Sequence, residues 1–157
     1  MREILFRGKR IDSGKWVQGY YIKATHHWHN HGIHEDWIAT DTIQNGGWCN
    51  VRGKYPVIPE SVSEFTGLTD KNGTKIFEGD IVKADGYIFT VKFGKCGGVE
   101  NDDNFGYMGF YFEGFDRITK KCMDWGLRKD ICYFVNREVI GNIHDNPELL
   151  KGDKSDA

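Results

Sequence analysis

Apolar side chains recur at every second position along much of the chain, which is the period of a β-strand with one buried face. The clearest run covers residues 87–93, whose odd-numbered positions we predict to face a core: Tyr87, Phe89, Val91 and Phe93. Further strands are predicted over residues 3–7, 15–23, 37–39, 80–84, 107–112, 131–135 and 139–143. Helices are predicted to be few and short, at residues 120–129 and from Pro147, where Asn146 precedes as the capping residue.

Glycine-bearing turns separate these strands. Asn72-Gly73 and Asp85-Gly86 are the dipeptides typical of tight β-hairpins. Gly19 interrupts the second strand, which indicates a bulge or the close approach of a neighbouring strand. Residues 24–36 and 94–106 have no hydrophobic period, and we predict that both are loops.

The pattern predicts a mainly β fold in two parts. Residues 55–59 contain two prolines and are expected to be extended, so they mark the junction. We predict an N-terminal β region over 1–59 with a β-hairpin and a histidine-rich loop. A small barrel-like, SH3-like region over 60–150 and a frayed tail over 151–157 follow. Composition agrees, because 14% aromatic residues and 20 glycines favour strands over helices.

Composition also limits the cellular location and the classes of partner that we expect. No apolar stretch approaches the roughly 18 residues of a membrane span, so no membrane contact is expected. The N-terminal residues become charged too soon for a signal peptide, and we expect the cytoplasm of a bacterial host. The formal net charge of −2 provides no general attraction to nucleic acid.

Charge is nevertheless distributed unevenly. Residues 1–25 hold six Lys or Arg against two acidic residues, a balance of +4, whereas residues 95–116 hold one Lys against five acidic residues, a balance of −4. These stretches are either ordinary solvated surfaces or complementary patches that meet head to tail between subunits.

The basic stretch also contains aromatic residues, including Trp16, Tyr20 and Tyr21. Cations that hold phosphates and rings that stack on bases suit single-stranded nucleic acid. The residues predicted to bind it are Arg7, Lys9, Arg10, Lys15 and Trp16. The alternative is a tightly packed pair of strands with charged ends.

Candidate chemistry is sparse. His27, His29 and His31 are spaced by two, so on a strand they would share one face and could bind Zn²⁺ or Ni²⁺. The alternative is a solvated polar loop that is rich in histidine. Asp70, Glu78 and Asp80 lie near turns, where an aspartate usually bonds to its own backbone rather than acting as an acid or base. We therefore expect no catalytic set and no cofactor.

Three stretches together span the chain and resemble the YopX family of phage and prophage proteins. They include Gly14-Lys15-Trp16-Val17-Gln18-Gly19-Tyr20, Thr66-Gly67-Leu68-Thr69-Asp70 followed by Gly79-Asp80-Ile81-Val82, and Val139-Ile140-Gly141-Asn142-Ile143-His144-Asp145. The resemblance implies a β-rich fold encoded by a phage or an integrated prophage, and it brings no catalytic residues to carry over. We expect a non-enzymatic module that acts through protein contacts and forms homo-oligomers, with nucleic-acid binding as the alternative.

Overall fold

The computed structural model describes residues 3–28, 31–40, 53–96, 107–115, 122–126 and 136–150. The strands in these ranges are β1 (Phe6–Lys9), β2 (Trp16–Trp28), β3 (His31–Ala39), β4 (Lys54–Pro56), β5 (Ser63–Thr69), β6 (Lys75–Phe77), β7 (Asp80–Ala84), β8 (Tyr87–Cys96), β9 (Tyr107–Phe115), β10 (Cys122–Gly126) and β11 (Glu138–Asn142). Short 3-10 helices cover Pro59–Ser61 and Pro147–Leu150. The predicted mainly β fold with few short helices is confirmed. No helix in the described ranges is long and apolar enough to cross a membrane.

The chain divides into two compact units, residues 1–65 and 66–157. The predicted domain boundaries at 1–59 and 60–150 stay a prediction. In the first unit the strands are antiparallel neighbours in the order β4-β3-β2-β1, and Ser63 and Glu64 at the start of β5 pair with β1. In the second unit, which begins at Thr66, the remaining residues of β5 lie beside β6.

The hairpin of β2 and β3 is longer than the sequence pattern predicts. Residues 24–28 and 31–36 are strand rather than loop, and they pair in register from Ala24 opposite Glu35 to Trp28 opposite His31. Gly19 provides the close approach that was predicted, because a Cβ atom there would lie 2.0 Å from the carbonyl oxygen of Ala39.

The second unit contains an antiparallel sheet with the order β10-β9-β8-β7-β11. Its core consists of Ile76, Val82, Ala84, Phe89, Val91, Phe110 and Phe112. Asp85 and Gly86 both have positive φ, 47° and 87°, which is the conformation of a tight type I′ hairpin between β7 and β8. Since β10 and β11 end this sheet, it is open within the described residues, and the SH3-like form stays a prediction.

The strand at 80–84 is confirmed as β7, and the one-turn helix after Asn146 is confirmed at Pro147. The helix predicted over 120–129 is wrong, because residues 122–126 form β10 and pair with β9. The loop predicted from residue 94 starts too early, because β8 continues to Cys96 opposite Tyr107. The strand predicted at 131–135 lies outside the described residues.

Asp70 is a buried carboxylate at the turn between β5 and β6. Its Oδ1 accepts hydrogen bonds from the backbone N–H groups of Asn72 and Thr74, each at 2.8 Å, and its Oδ2 accepts one from Val139 at 3.2 Å. Asp80 is also buried and accepts a hydrogen bond from the backbone of Phe77 at 2.8 Å. The prediction that these carboxylates bond to nearby backbone is confirmed.

Candidate functional site

The sheet of the first unit has one face that combines cations and rings. Side chains at alternate positions of a strand share a face, and residues directly opposite on a neighbouring strand share it too. Starting from Trp16 on β2, the register therefore places one set of residues together. We call this set the cation–aromatic face: Arg7, Lys9, Trp16, Gln18, Tyr20, Ile22, Trp37, Ala39 and Lys54.

The opposite face of the same sheet is the core side of the unit. Ile38 is fully buried there, and the rings of Phe6 and Tyr21 pack 5.6 Å apart. The Tyr21 hydroxyl donates a hydrogen bond to Asp36. That hydrogen bond, together with burial, raises the pKa of Tyr21 to about 12. Tyr20 and Tyr21, which the sequence analysis placed in one basic aromatic group, thus lie on different faces.

Arg7 and Trp16 form the first cation–ring pair of the cation–aromatic face. The guanidinium carbon lies 4.7 Å from the centre of the indole, within the range of a cation–π interaction. Arg7 Nε also donates a 3.4 Å hydrogen bond to Ser63 Oγ on β5. Two of the five predicted nucleic-acid-binding residues therefore lie in contact.

Lys54 and Trp37 form the second pair, with the ammonium nitrogen 5.0 Å from the centre of the indole. The Trp37 Nε1–H group donates a 3.0 Å hydrogen bond to Glu35, which fixes the ring orientation. Tyr20 and Ile22 on β2 lie in the same two cross-strand rows as Lys54 and Trp37, and they are 53% and 37% exposed. The sheet thus presents exposed apolar surface between two cations.

The other predicted cations lie in different settings. Lys9 is directly opposite Trp16 and is half-buried, with its backbone N–H bonded to Ser61 Oγ at 2.8 Å. Lys15 is exposed, and its carbonyl oxygen accepts a hydrogen bond from the Arg10 backbone.

Arg10 does not join the cation–aromatic face. Its guanidinium lies 4.1 Å from the centre of the Tyr55 ring, and Tyr55 is the cross-strand partner of buried Ile38. It also forms a 2.5 Å ion pair with Asp12, and the hydrogen bonds of that pair hold the pKa of Asp12 below its usual value. Asp12 therefore neutralises the positive charge of Arg10, which was predicted to bind nucleic acid.

Two of the three predicted metal ligands lie on different strands. His27 belongs to β2 and is opposite Gly32, and His31 belongs to β3 and is opposite Trp28. His29 lies outside the described residues. Metal binding by His27, His29 and His31 stays a prediction.

A second exposed surface lies at the end of the β8–β9 hairpin. Phe93 is directly opposite Phe110, and their rings are 5.0 Å apart, yet Phe110 is 5% exposed whereas Phe93 is 52% exposed. Met108, two residues before Phe110 on the same face, is 68% exposed. We call Phe93 and Met108 the apolar end. The predicted core row is confirmed for Phe89 and Val91, which are buried, and is wrong for Tyr87 and Phe93, which are 39% and 52% exposed.

Sequence reasoning missed Trp37 and Lys54 as members of the cation–aromatic face. The local signal at Trp37 was a short apolar strand, which is equally typical of a core position. Lys54 precedes the proline-containing segment and gave no signal of its own. Only the pairing of β3 with both β2 and β4 brings these residues into line with Tyr20.

The model of a family described as YopX protein matches residues 5–151. Among solved structures, the chain is similar to the crystal structure of protein EF1440 from Enterococcus faecalis. That match has 21% identity and a TM-score of 0.41, and it covers 96% of this chain and 99% of the other. No curated protein matches the chain.

Proposed function

We propose, because the chain belongs to the YopX protein family, that it is a phage- or prophage-encoded β-rich module of the bacterial cytoplasm. It works without catalysis, through self-association and contacts with a protein partner. The observation that carries this proposal is the apolar end, where two large side chains of a core-facing row remain exposed.

The chemistry of the apolar end favours a second copy of the chain as its occupant. The buried centres of homodimer interfaces are more apolar than the rest of a protein surface, and aromatic residues and Met are enriched in protein interfaces. Phe93 offers a rigid ring, and Met108 offers a flexible side chain that adapts to a facing surface. A two-fold symmetric contact would place the same apolar pair on both sides of the interface.

The use of the buried carboxylates supports a role without catalysis. The oxygens of Asp70 accept hydrogen bonds from three backbone N–H groups, and one oxygen of Asp80 accepts a hydrogen bond from a fourth. Carboxylates held by backbone donors fix turns and strands, and these hydrogen bonds hold the pKa of Asp70 below its usual value, whereas a general acid or base needs a pKa near the working pH.

Light scattering and sedimentation over a range of protein concentrations test this proposal. We expect the mass of the wild-type chain to rise with concentration, and we expect the Phe93→Ser variant to shift towards the monomer. Tyr87→Ser is the matched control, since Tyr87 lies on the same face of β8 at its other end and is 39% exposed. A strictly monomeric wild-type chain, or equal association of Phe93→Ser and wild type, would refute self-association through this surface.

A further inference from the structure

We propose that the cation–aromatic face of the first unit is a binding site for single-stranded nucleic acid. This goes beyond self-association through the apolar end, and it rests on a different surface. The residues that carry it are Arg7, Trp16, Tyr20, Trp37 and Lys54, of which Trp37 and Lys54 were not part of the predicted basic aromatic group.

The register arranges these residues in successive rows across the sheet. Lys9 is opposite Trp16 and Arg7 is opposite Gln18, so the first two rows each hold one cation. The third row runs from Tyr20 through Ala39 to Lys54, and the fourth runs from Ile22 through Trp37 to Pro56. Neighbouring rows are separated by two residues of β2, or about 7 Å. Rings and cations therefore recur along one direction.

Tyr20 lies in the third of these four rows of the cation–aromatic face. It is 53% exposed, and its cross-strand neighbour is the small, buried Ala39, with Lys54 next in the row. An unpaired base can stack on an exposed ring whatever its identity, and the adjacent ammonium group can then hold the phosphate beside it. In a duplex the bases are already stacked on one another, so a single strand makes better use of this face.

The charge of the face matches a polyanion. Arg7, Lys9 and Lys54 provide three positive charges, and Glu35, bonded to Trp37, provides one negative charge beside them. These four side chains sum to +2, although the formal net charge of the whole chain is −2. Negative charge elsewhere limits binding outside this face, so binding is expected to be local and sensitive to salt.

Fluorescence anisotropy with a labelled oligothymidylate of about 16 nucleotides tests the proposal at low and physiological salt. We expect Tyr20→Ala to weaken binding about fivefold or more, and we expect Tyr20→Phe, which keeps the ring, to bind like wild type. We expect Lys54→Gln to reduce the slope of log K against log salt by about 0.7, the contribution of one phosphate contact on a single strand.

Matched variants in the second unit serve as controls, namely Tyr87→Ala for the ring and Lys83→Gln for the charge. Circular dichroism of every variant confirms that the fold is kept. The proposal is overturned if the wild type does not bind at low salt, if a duplex of the same length binds more tightly, or if Tyr20→Ala and Tyr87→Ala have equal effects. A change in the oligomeric state of Tyr20→Ala would also overturn it, because the face would then be a contact between copies of the chain.

Discussion

Replacing Asp70 with asparagine measures how far one buried carboxylate stabilises the second unit. The side chain joins the β5–β6 turn to β11, which lies 69 residues further along the chain. An asparagine keeps one carbonyl oxygen for the N–H groups of Asn72 and Thr74. Its NH₂ group, however, would then face the N–H of Val139, so two donors would meet where a donor and an acceptor met before.

The expected cost follows from these three contacts. A hydrogen bond to a charged group contributes about 1.5–3 kcal/mol, and a buried donor left without an acceptor costs about 1–3 kcal/mol. Asp70→Asn weakens two bonds by removing the charge and loses the third. We therefore expect the free energy of unfolding to fall by about 2–3 kcal/mol, which lowers Tm by about 4–12 °C in a chain of this length.

The effect should depend on pH in a defined direction. Burial acts to raise the pKa of Asp70, but the hydrogen bonds from Thr74, Val139 and Asn72 outweigh it, and the pKa lies below its usual value. The contribution of the carboxylate is complete above the unfolded pKa of about 3.9, and it is lost as pH falls through the lower folded pKa. The difference in stability between wild type and variant should therefore be constant above about pH 5 and shrink below it.

Urea unfolding, followed by tryptophan fluorescence and circular dichroism, measures both effects. Glu138→Gln is the matched control at the same place, because Glu138 pairs with Lys71 at 2.6 Å while both side chains are more than 40% exposed. Such surface pairs contribute about 0–1 kcal/mol. If Asp70→Asn destabilised the protein no more than Glu138→Gln does, the structural role given to the buried carboxylate would be refuted.

Three further substitutions probe single contacts. Tyr21→Phe removes the hydroxyl bonded to Asp36. The pKa of Tyr21 is raised to about 12, so the wild type should lose the stability contributed by this hydrogen bond between about pH 10 and 12, and the variant should not. Absorbance titration and thermal melts would check this. Gly79→Ala should cost about 1–3 kcal/mol in urea unfolding, because φ is 76° and the new methyl would lie 3.3 Å from Ile143; an unchanged midpoint would contradict this. Thr66→Val should cost about 1 kcal/mol, because the buried hydroxyl donates to a backbone carbonyl of β6 at 2.8 Å, and a more stable variant would show that this bond contributes nothing.

The elements that the sequence predicts best are those fixed by neighbouring residues. The hairpin at Asp85-Gly86 follows from the positive φ that its dipeptide favours, and β7 follows from an apolar run between turn signals. Residues 24–28 and 31–36 have no hydrophobic period in the sequence, and their strand structure depends on the pairing between β2 and β3. Local propensity therefore does not predict a strand whose conformation depends on cross-strand hydrogen bonds.

The same distinction applies to the candidate surfaces. Arg7 and Trp16 could be grouped from the sequence because they belong to consecutive strands of one hairpin. Lys54 and Trp37 meet only through β4, whose position no local pattern reveals. Phe93 has the periodicity of a core residue, but burial at the end of a strand depends on which residues cover it, and alternation along one strand does not contain that information.

The long hairpin extends past its neighbours in the sheet. β1 pairs with β2 only as far as Gly19, and β4 meets β3 only from Trp37 onwards, so the outer pairs involve no other described strand. Deleting Thr25 and His26 together with their partners Ile33 and His34 would shorten the hairpin and leave every pair at its base in register. Insertions or deletions that change both strands equally would thus alter only the outer part of the hairpin and leave the pairs at its base unchanged.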